Sequence, residues 1–215
     1  FNTPHQLEGN IENYIGMSMV PTGVIGPFKI NGTDAKGDFY IPLATSEGAL
    51  VASYHRGAKA CSLAGGVTVR CVKEGVQRSP GFKFNNLEEL GQFVAWVVQR
   101  QEVFRQITNK NSRFAQLKNM KTNIEGNHLI LTFEFETGDA AGQNMVTICT
   151  SQICKYIVRN APVQPQTWYL ESNYSGDKKA TALSLTHVRG KKVTAEIVLS
   201  KNIVQEVLKS TPKAI

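Results

Sequence analysis

Three groups of residues in this 215-residue chain could do chemistry. Asp177, Lys178 and Lys179 set an acid beside two ammonium groups, between Gly176 and an Ala/Thr run. Adjacent cations suit an anion, although a solvated turn shows the same trio. The stretch TGDAAGQNM, Thr137 to Met145, lies where a strand pattern gives way to a helical one. Gly138 and Gly142 there let backbone amides and a helix N-terminus approach an anionic group. Glycines serve tight turns as well, and the GxGxxG fingerprint is absent. Glu47 opens a helical pattern of small residues, EGALVAS, a position the helix dipole favours for any carboxylate.

The elements that must position these residues can be read from periodicity. Up to Pro42 the chain is punctuated by PTGVIGP and INGTDAKGD, short apolar pieces between turns. Thr45 and Ser46 then precede a helix lined with Ala and Gly, slim enough to be closely surrounded. From Gly66, VTVRCVKEGV alternates as a strand, and Asn86 is placed to cap LEELGQFVAWVVQRQEVFRQI. Leu87, Leu90, Phe93, Val94 and Val97 fall on one face of that helix. MKTNIEGNHLILTFEFETG reads as two strands joined at Glu125 to His128. A helix from about Ala140 to Arg159 and a strand at TWYLES follow.

The order strand, helix, strand, strand, helix, strand is that of the split-βαβ, ferredoxin-like arrangement. The expected fold class is α+β, with a small ferredoxin-like domain at 80–170 inserted in a larger one. Residues 1–79 supply the first part of the larger domain, and residues 171–215 return to it through a strand at VTAEIVLS and a short helix at NIVQEVLKS.

Composition is globular, with 41% hydrophobic and 19% charged residues, and no apolar run approaches the ~20 residues that span a bilayer. Cys61, Cys71, Cys149 and Cys154 lack CxxC spacing and read as reduced, buried thiols of a cytosolic protein. A net charge of +7 points to anionic partners, and its scatter along the chain argues against a nucleic-acid arm. The aromatic strand pattern of a ferredoxin-like RNA binder is missing. The chain does not begin with methionine, so it reads as a processed or partial sequence; a membrane anchor upstream of Phe1 stays open.

ENYIGMSMVPTGVIGP (Glu12 to Pro27), LATSEGALVAS (Leu43 to Ser53), SRFAQL (Ser112 to Leu117), TGDAAGQNM, SNYSGDKKATA and RGKKVTAEIV follow one another in order. This succession resembles the signatures of 3-hydroxy-3-methylglutaryl-coenzyme A (HMG-CoA) reductase, nearest to its biosynthetic, class I branch. The resemblance implies a large substrate domain interrupted by a small cofactor domain. It implies reduction of the HMG-CoA thioester to mevalonate and coenzyme A with two hydrides from NADPH, in isoprenoid synthesis. It also implies homo-oligomers whose active sites are shared between subunits.

Carried over by position, Glu47 matches the glutamate of proton transfer and Lys178 the lysine that stabilises the oxyanion. Arg78 and Lys179 match groups that bind the hydroxymethylglutaryl carboxylate. Asp177 matches an acid that orients substrate, and Asn173 falls in the same substrate loop. Ser112, Arg113 and Phe114 match a cofactor segment in which a cation favours the 2′-phosphate of NADPH. Asp139, Gly142 and Asn144 match the dinucleotide loop. No metal is implied.

Some positions depart from the pattern. Glu171 stands where the family has a serine, Ala180 follows the lysines in place of proline, Ser184 and Leu185 replace an Asn-Trp pair, Ala141 and Gln143 replace methionines, and Met17 replaces a tyrosine. The family's catalytic aspartate and histidine belong to a region beyond Ile215. None of His5, His55, His128 and His187 lies in a matching motif, and the segment alone is expected to be inactive or nearly so. The alternatives are NAD-linked oxidation of mevalonate in the degradative direction and a binding module without catalysis.

Overall fold

The computed structural model describes residues 9, 11–176, 182–186 and 189–215. It is a mixed α+β fold with eight strands and five α-helices among the described residues. The chain divides into two compact units, residues 1–70 with 195–215, and residues 71–194.

In the first unit, β1 (Thr22–Gly32) and β2 (Lys36–Ala44) form an antiparallel hairpin, closed where the Gly32 amide donates to the Ala35 carbonyl at 2.8 Å. The short pieces expected before Pro42 are thus two long strands, and turn-forming residues sit inside them. The end of β1 also pairs in parallel with the start of β3 (Val67–Arg78). Helix α1 (Leu50–Leu63) is tied to β1 by Ser62, whose hydroxyl accepts from the Lys29 amide and donates to the Pro27 carbonyl, both at 3.0 Å. Gly23 permits close approach, since a Cβ there would lie 2.8 Å from a Val51 methyl.

One expectation for α1 is corrected. It starts at Leu50, after Ala49 in the left-handed region (φ 63°), with no side-chain cap, because the Thr45 hydroxyl is used on the Glu47 amide in the turn before it. Of the helix's own residues, Ala58 and Ala60 are buried in this structure. The unit ends with α5 (Lys201–Glu206), where the Ser200 hydroxyl accepts from the Ile203 amide at the N-terminus.

The second unit is built on β6 (His128–Glu136). Along one edge it pairs antiparallel with β5 (Gln116–Glu125). Along the other it pairs with the end of β3, Val76 opposite Phe135, and then with β4 (Gly81–Lys83), Gly81 opposite Ile130. Pro80, which cannot donate, falls in the interruption between these two pieces. β4 in turn pairs antiparallel with β7 (Thr167–Tyr169), so the strand order is β7, β4, β6, β5. Gly81 is required there because a Cβ would fall 2.4 Å from the Tyr169 ring.

Asn86 caps α2 (Leu87–Val97) by accepting from the Glu89 amide at 2.9 Å, as its type and position predict. The single helix read from periodicity is interrupted by a 3-10 turn at Val98–Arg100 and resumes as α3 (Gln101–Asn111). Leu90, Phe93 and Val97 are buried, whereas Leu87, in the first turn, is exposed. Helix α4 (Gln143–Asn160) packs Val146, Cys149, Ile153 and Ile157 into the same core. Leu129, Leu131, Phe133 and Phe135 of β6 enter that core by strand alternation, and Phe104 meets Phe133 edge-on at 5.8 Å. β8 (Gly190–Glu196) pairs with β3, and Lys191 bonds Glu74. No helix among the described residues is long and apolar enough to cross a membrane.

Candidate active site

Glu47 belongs to the first unit. It lies in the turn before α1, where its amide donates to the Thr45 hydroxyl at 3.0 Å. It borders an open cavity of ≈ 880 Å³ together with His55, Arg56, Lys59, Glu206 and Lys209. His55, which matched no sequence motif, is placed there by the helical period of α1; its Nδ1 accepts from the Gly26 amide at 3.4 Å. Three cations against two carboxylates make this an anion-attracting recess with an acid at its edge.

In the second unit, Gly142 (φ 74°) is the residue before α4, and among the described residues no side chain caps that helix. The amides at the start of an 18-residue helix are thus left to whatever anion reaches them. Gly142 cannot be replaced without cost, since a Cβ would lie 2.3 Å from the Thr137 methyl. Thr137 holds the turn by donating to the Ala140 carbonyl at 2.7 Å. Asp139 lies within this turn and Asn144 in the first turn of α4.

Ser112 ends α3 and organises the next segment: its hydroxyl accepts from the Phe114 and Ala115 amides at 3.2 and 3.0 Å. The Arg113 guanidinium lies over the Phe114 ring at 5.5 Å. Ser112 and Arg113 line a cavity of ≈ 480 Å³ with Arg105, Asn109 and Lys118. Arg105 pairs with Glu102 at 3.1 Å and Lys118 with Glu136 at 2.7 Å.

Arg78, at the end of β3, is buried, and its guanidinium is shared between two side chains. One terminal nitrogen donates to Glu171 at 3.3 Å, and the other to the Gln143 side-chain oxygen at 3.0 Å. Glu171 also accepts from the Ser79 amide at 3.3 Å and the Asn173 amide at 2.9 Å. Asn173 sits in the left-handed region at φ 63°. Residues 78, 143, 171 and 173 are therefore brought together. Asp177, Lys178 and Lys179 lie outside the described residues. Sequence reading singles out Arg78 and Asn173, gives Gln143 no role, and marks Glu171 as an extra carboxylate that would repel an anionic substrate unless it points away or pairs with a lysine; its partner is Arg78 instead.

The hydroxymethylglutaryl-coenzyme A reductase family model matches residues 1–215. The chain is 45% identical over 206 residues to the 3-hydroxy-3-methylglutaryl-coenzyme A reductase of Aeropyrum pernix, covering 96% of this chain and 49% of that protein. It is 44% identical over 214 residues to that of Pyrococcus horikoshii, covering 99% and 52%. Its fold is similar to a class II 3-hydroxy-3-methylglutaryl-CoA reductase of Streptococcus pneumoniae solved with NADPH in open conformations. That match has a TM-score of 0.70 at 17% identity, over 92% of this chain and 50% of the other. The chain spans about half the length of the curated relatives it matches.

Proposed function

Because the chain belongs to the hydroxymethylglutaryl-coenzyme A reductase family, we propose that it is part of an enzyme reducing HMG-CoA to mevalonate and coenzyme A with two NADPH. The observation that carries this reading is identity of 44–45% to curated reductases along essentially the whole chain. The strand order β7, β4, β6, β5 supports taking the core of the second unit as the ferredoxin-like cofactor domain, placed at 80–170, with residues 1–79 and 171–215 as parts of the substrate domain.

The residues present fit a phosphorylated dinucleotide. The α4 N-terminus has no side-chain cap, and Gly142 keeps its turn tight where a larger residue would clash. Asp139, Gly142 and Asn144 would hold the dinucleotide there. Ser112, Arg113 and Phe114 would hold the 2′-phosphate beside a cavity lined by three cations. NADPH when bound supplies hydride to the thioester carbon and again to the aldehyde that follows.

The chain's own groups handle charge and protons. Lys178 places an ammonium against the carbonyl oxygen as it becomes anionic, and Glu47 delivers the proton that turns the oxygen into a hydroxyl. Lys179, Asp177 and Asn173 orient the substrate's acyl part, and Arg78 faces its carboxylate. A site shared between copies of the chain and a cytoplasmic location belong to the same reading.

The test is HMG-CoA-dependent oxidation of NADPH by the complete gene product. Glu47→Gln and Lys178→Ala should each lower kcat by about 100-fold or more while leaving NADPH affinity unchanged. Undiminished turnover in both variants would sink the assignment of roles. Preference for NADH with mevalonate oxidation would select the degradative direction instead.

A further inference from the structure

Strand alternation sends Leu129, Leu131, Phe133 and Phe135 of β6 to the phenylalanine core, and Ile130 and Thr132 to the opposite face of the sheet. That face is covered as well. Ile130 and Thr132 are 7% and 8% exposed, and Gln77, which shares the face because it stands opposite Glu134, is 1% exposed. Gln77, Thr132, Lys121 and Asn123 line a cavity of ≈ 140 Å³ there, and Tyr174 and Leu183 belong to its wall. Those two come from either side of the triplet Asp177, Lys178 and Lys179, and all of these residues belong to the second unit. The chain is tied down next to each of the two. Before Tyr174, the Ser172 amide donates to the Ser79 carbonyl at 2.7 Å, and the Ser79 and Thr132 hydroxyls bond at 3.1 Å. After Leu183, the Thr186 amide and hydroxyl donate to the Leu183 carbonyl at 3.0 and 3.1 Å, and the Lys192 ammonium donates to the Leu185 carbonyl.

We propose that this recess seats the segment carrying Asp177, Lys178 and Lys179, and that Tyr174 and Leu183 are its positioning residues. The proposal deepens the reading in which Lys178 meets the reacting oxygen, and rests on it. Fixing both ends of a short segment on one face removes most of the conformations it would otherwise sample, so less entropy is lost when its ammonium groups meet an anion. The face itself is rigid, because β3, β5 and β6 are locked from behind by the phenylalanine core. Displacing an ammonium by about 1 Å from a developing oxyanion costs about 100-fold in rate. A loosened foot is therefore read in turnover, although neither Tyr174 nor Leu183 touches substrate. Tyr174 supplies a ring and Leu183 a branched aliphatic group, shapes that hold by filling space rather than by charge.

The experiment compares Tyr174→Ala and Leu183→Ala in the complete gene product, in wild-type and Lys178→Ala backgrounds. In the wild-type background each should lower kcat for HMG-CoA about tenfold and leave the dissociation constant of NADPH unchanged. In the Lys178→Ala background the same substitutions should cost less than about twofold, because no ammonium remains at 178 to be misplaced. Tyr174→Phe keeps the ring and should stay within about twofold of wild type. Trypsin gives a readout that needs no turnover. Cleavage after Lys178 or Lys179 in the native protein should quicken about fivefold in both alanine variants, with Tm nearly unchanged because the phenylalanine core is untouched. Equal losses of kcat in the two backgrounds, or unchanged cleavage, would overturn the proposal. If Lys178→Ala turns over at full rate or not at all, the cleavage rates alone decide whether the recess is the seat; full turnover also sinks the separate reading of Lys178.

Discussion

Residues 71–194 seal a contiguous core, in which Phe82, Phe84, Phe93, Phe104, Phe133 and Phe135 are all at or near zero exposure. In residues 1–70 and 195–215, the described hydrophobics buried to a similar degree are Ile25, Ala58, Ala60, Val67 and Val204, mostly small. There Val24, Phe39, Tyr40, Ile41, Tyr54 and Leu63 remain exposed, and an apolar groove of ≈ 600 Å³ runs between β2 and α1. Both units carry candidate site residues, but on unlike supports. Arg78 and the start of α4 stand on a framework whose side chains are locked by packing. Glu47 stands on a turn before a half-covered helix, in a unit with little burial to offset the entropy of ordering its chain. The difference teaches that the second unit can hold its ligand groups by its own packing, whereas the described residues of the first bury few large side chains among themselves.

The strongest challenge to that contrast is Phe133→Ala, which empties the middle of the second core and should cost about 3–5 kcal/mol in chemical denaturation. Tyr54→Ala in the first unit should stay within about 0.5 kcal/mol. Equal costs would break the comparison. Gly142→Ala sharpens it within the second unit, because the strain at φ 74° and the clash with Thr137 have no slack to relax into. It should cost about 1–3 kcal/mol and weaken NADPH in the same titration.

Arg113→Ala should weaken NADPH about tenfold and leave NADH unchanged, measured as two dissociation constants; the residue sits on the surface of the packed unit, so Tm should hardly move. The smallest effect is one of pH. Burial pushes the Cys154 thiol well above its ordinary value of 9.0, so the folded chain keeps a proton that the unfolded chain releases. The contribution is fully present below about pH 9 and is lost as pH rises beyond it, by at most about 1.4 kcal/mol per unit. Cys154→Ala should flatten that alkaline limb of the stability curve, whatever it does to stability at neutral pH. Cys71, expected to be buried, is exposed and should meanwhile accept a thiol reagent in the native state, and buried Cys149 and Cys154 only on unfolding.

The readable parts of the sequence were those fixed by neighbours. Alternation at Leu129, Leu131, Phe133 and Phe135 gave β6 and its buried face, and Asn86 gave the start of α2. The β1–β2 hairpin was hidden because glycines and prolines within the strands look like punctuation, and pairing partners are not visible along a chain. The start of α1 was misplaced for a related reason. Thr45 and Ser46 have capping chemistry, but Thr45 uses its hydroxyl on the Glu47 amide and the chain reaches the helix through Ala49.

What the sequence determined by itself was the family, the order of elements in the second unit and most of the residue types the proposed site needs, since motifs and periods are local. Only the tertiary structure decided that Arg78 is already engaged. Its partners lie 65 and 93 positions further along the chain, and no local rule connects a strand end, a helix start and the loop after β7. Packing of β3, α4 and β7 about one core brings those three places together, and Glu171 and Gln143 there take up the Arg78 guanidinium.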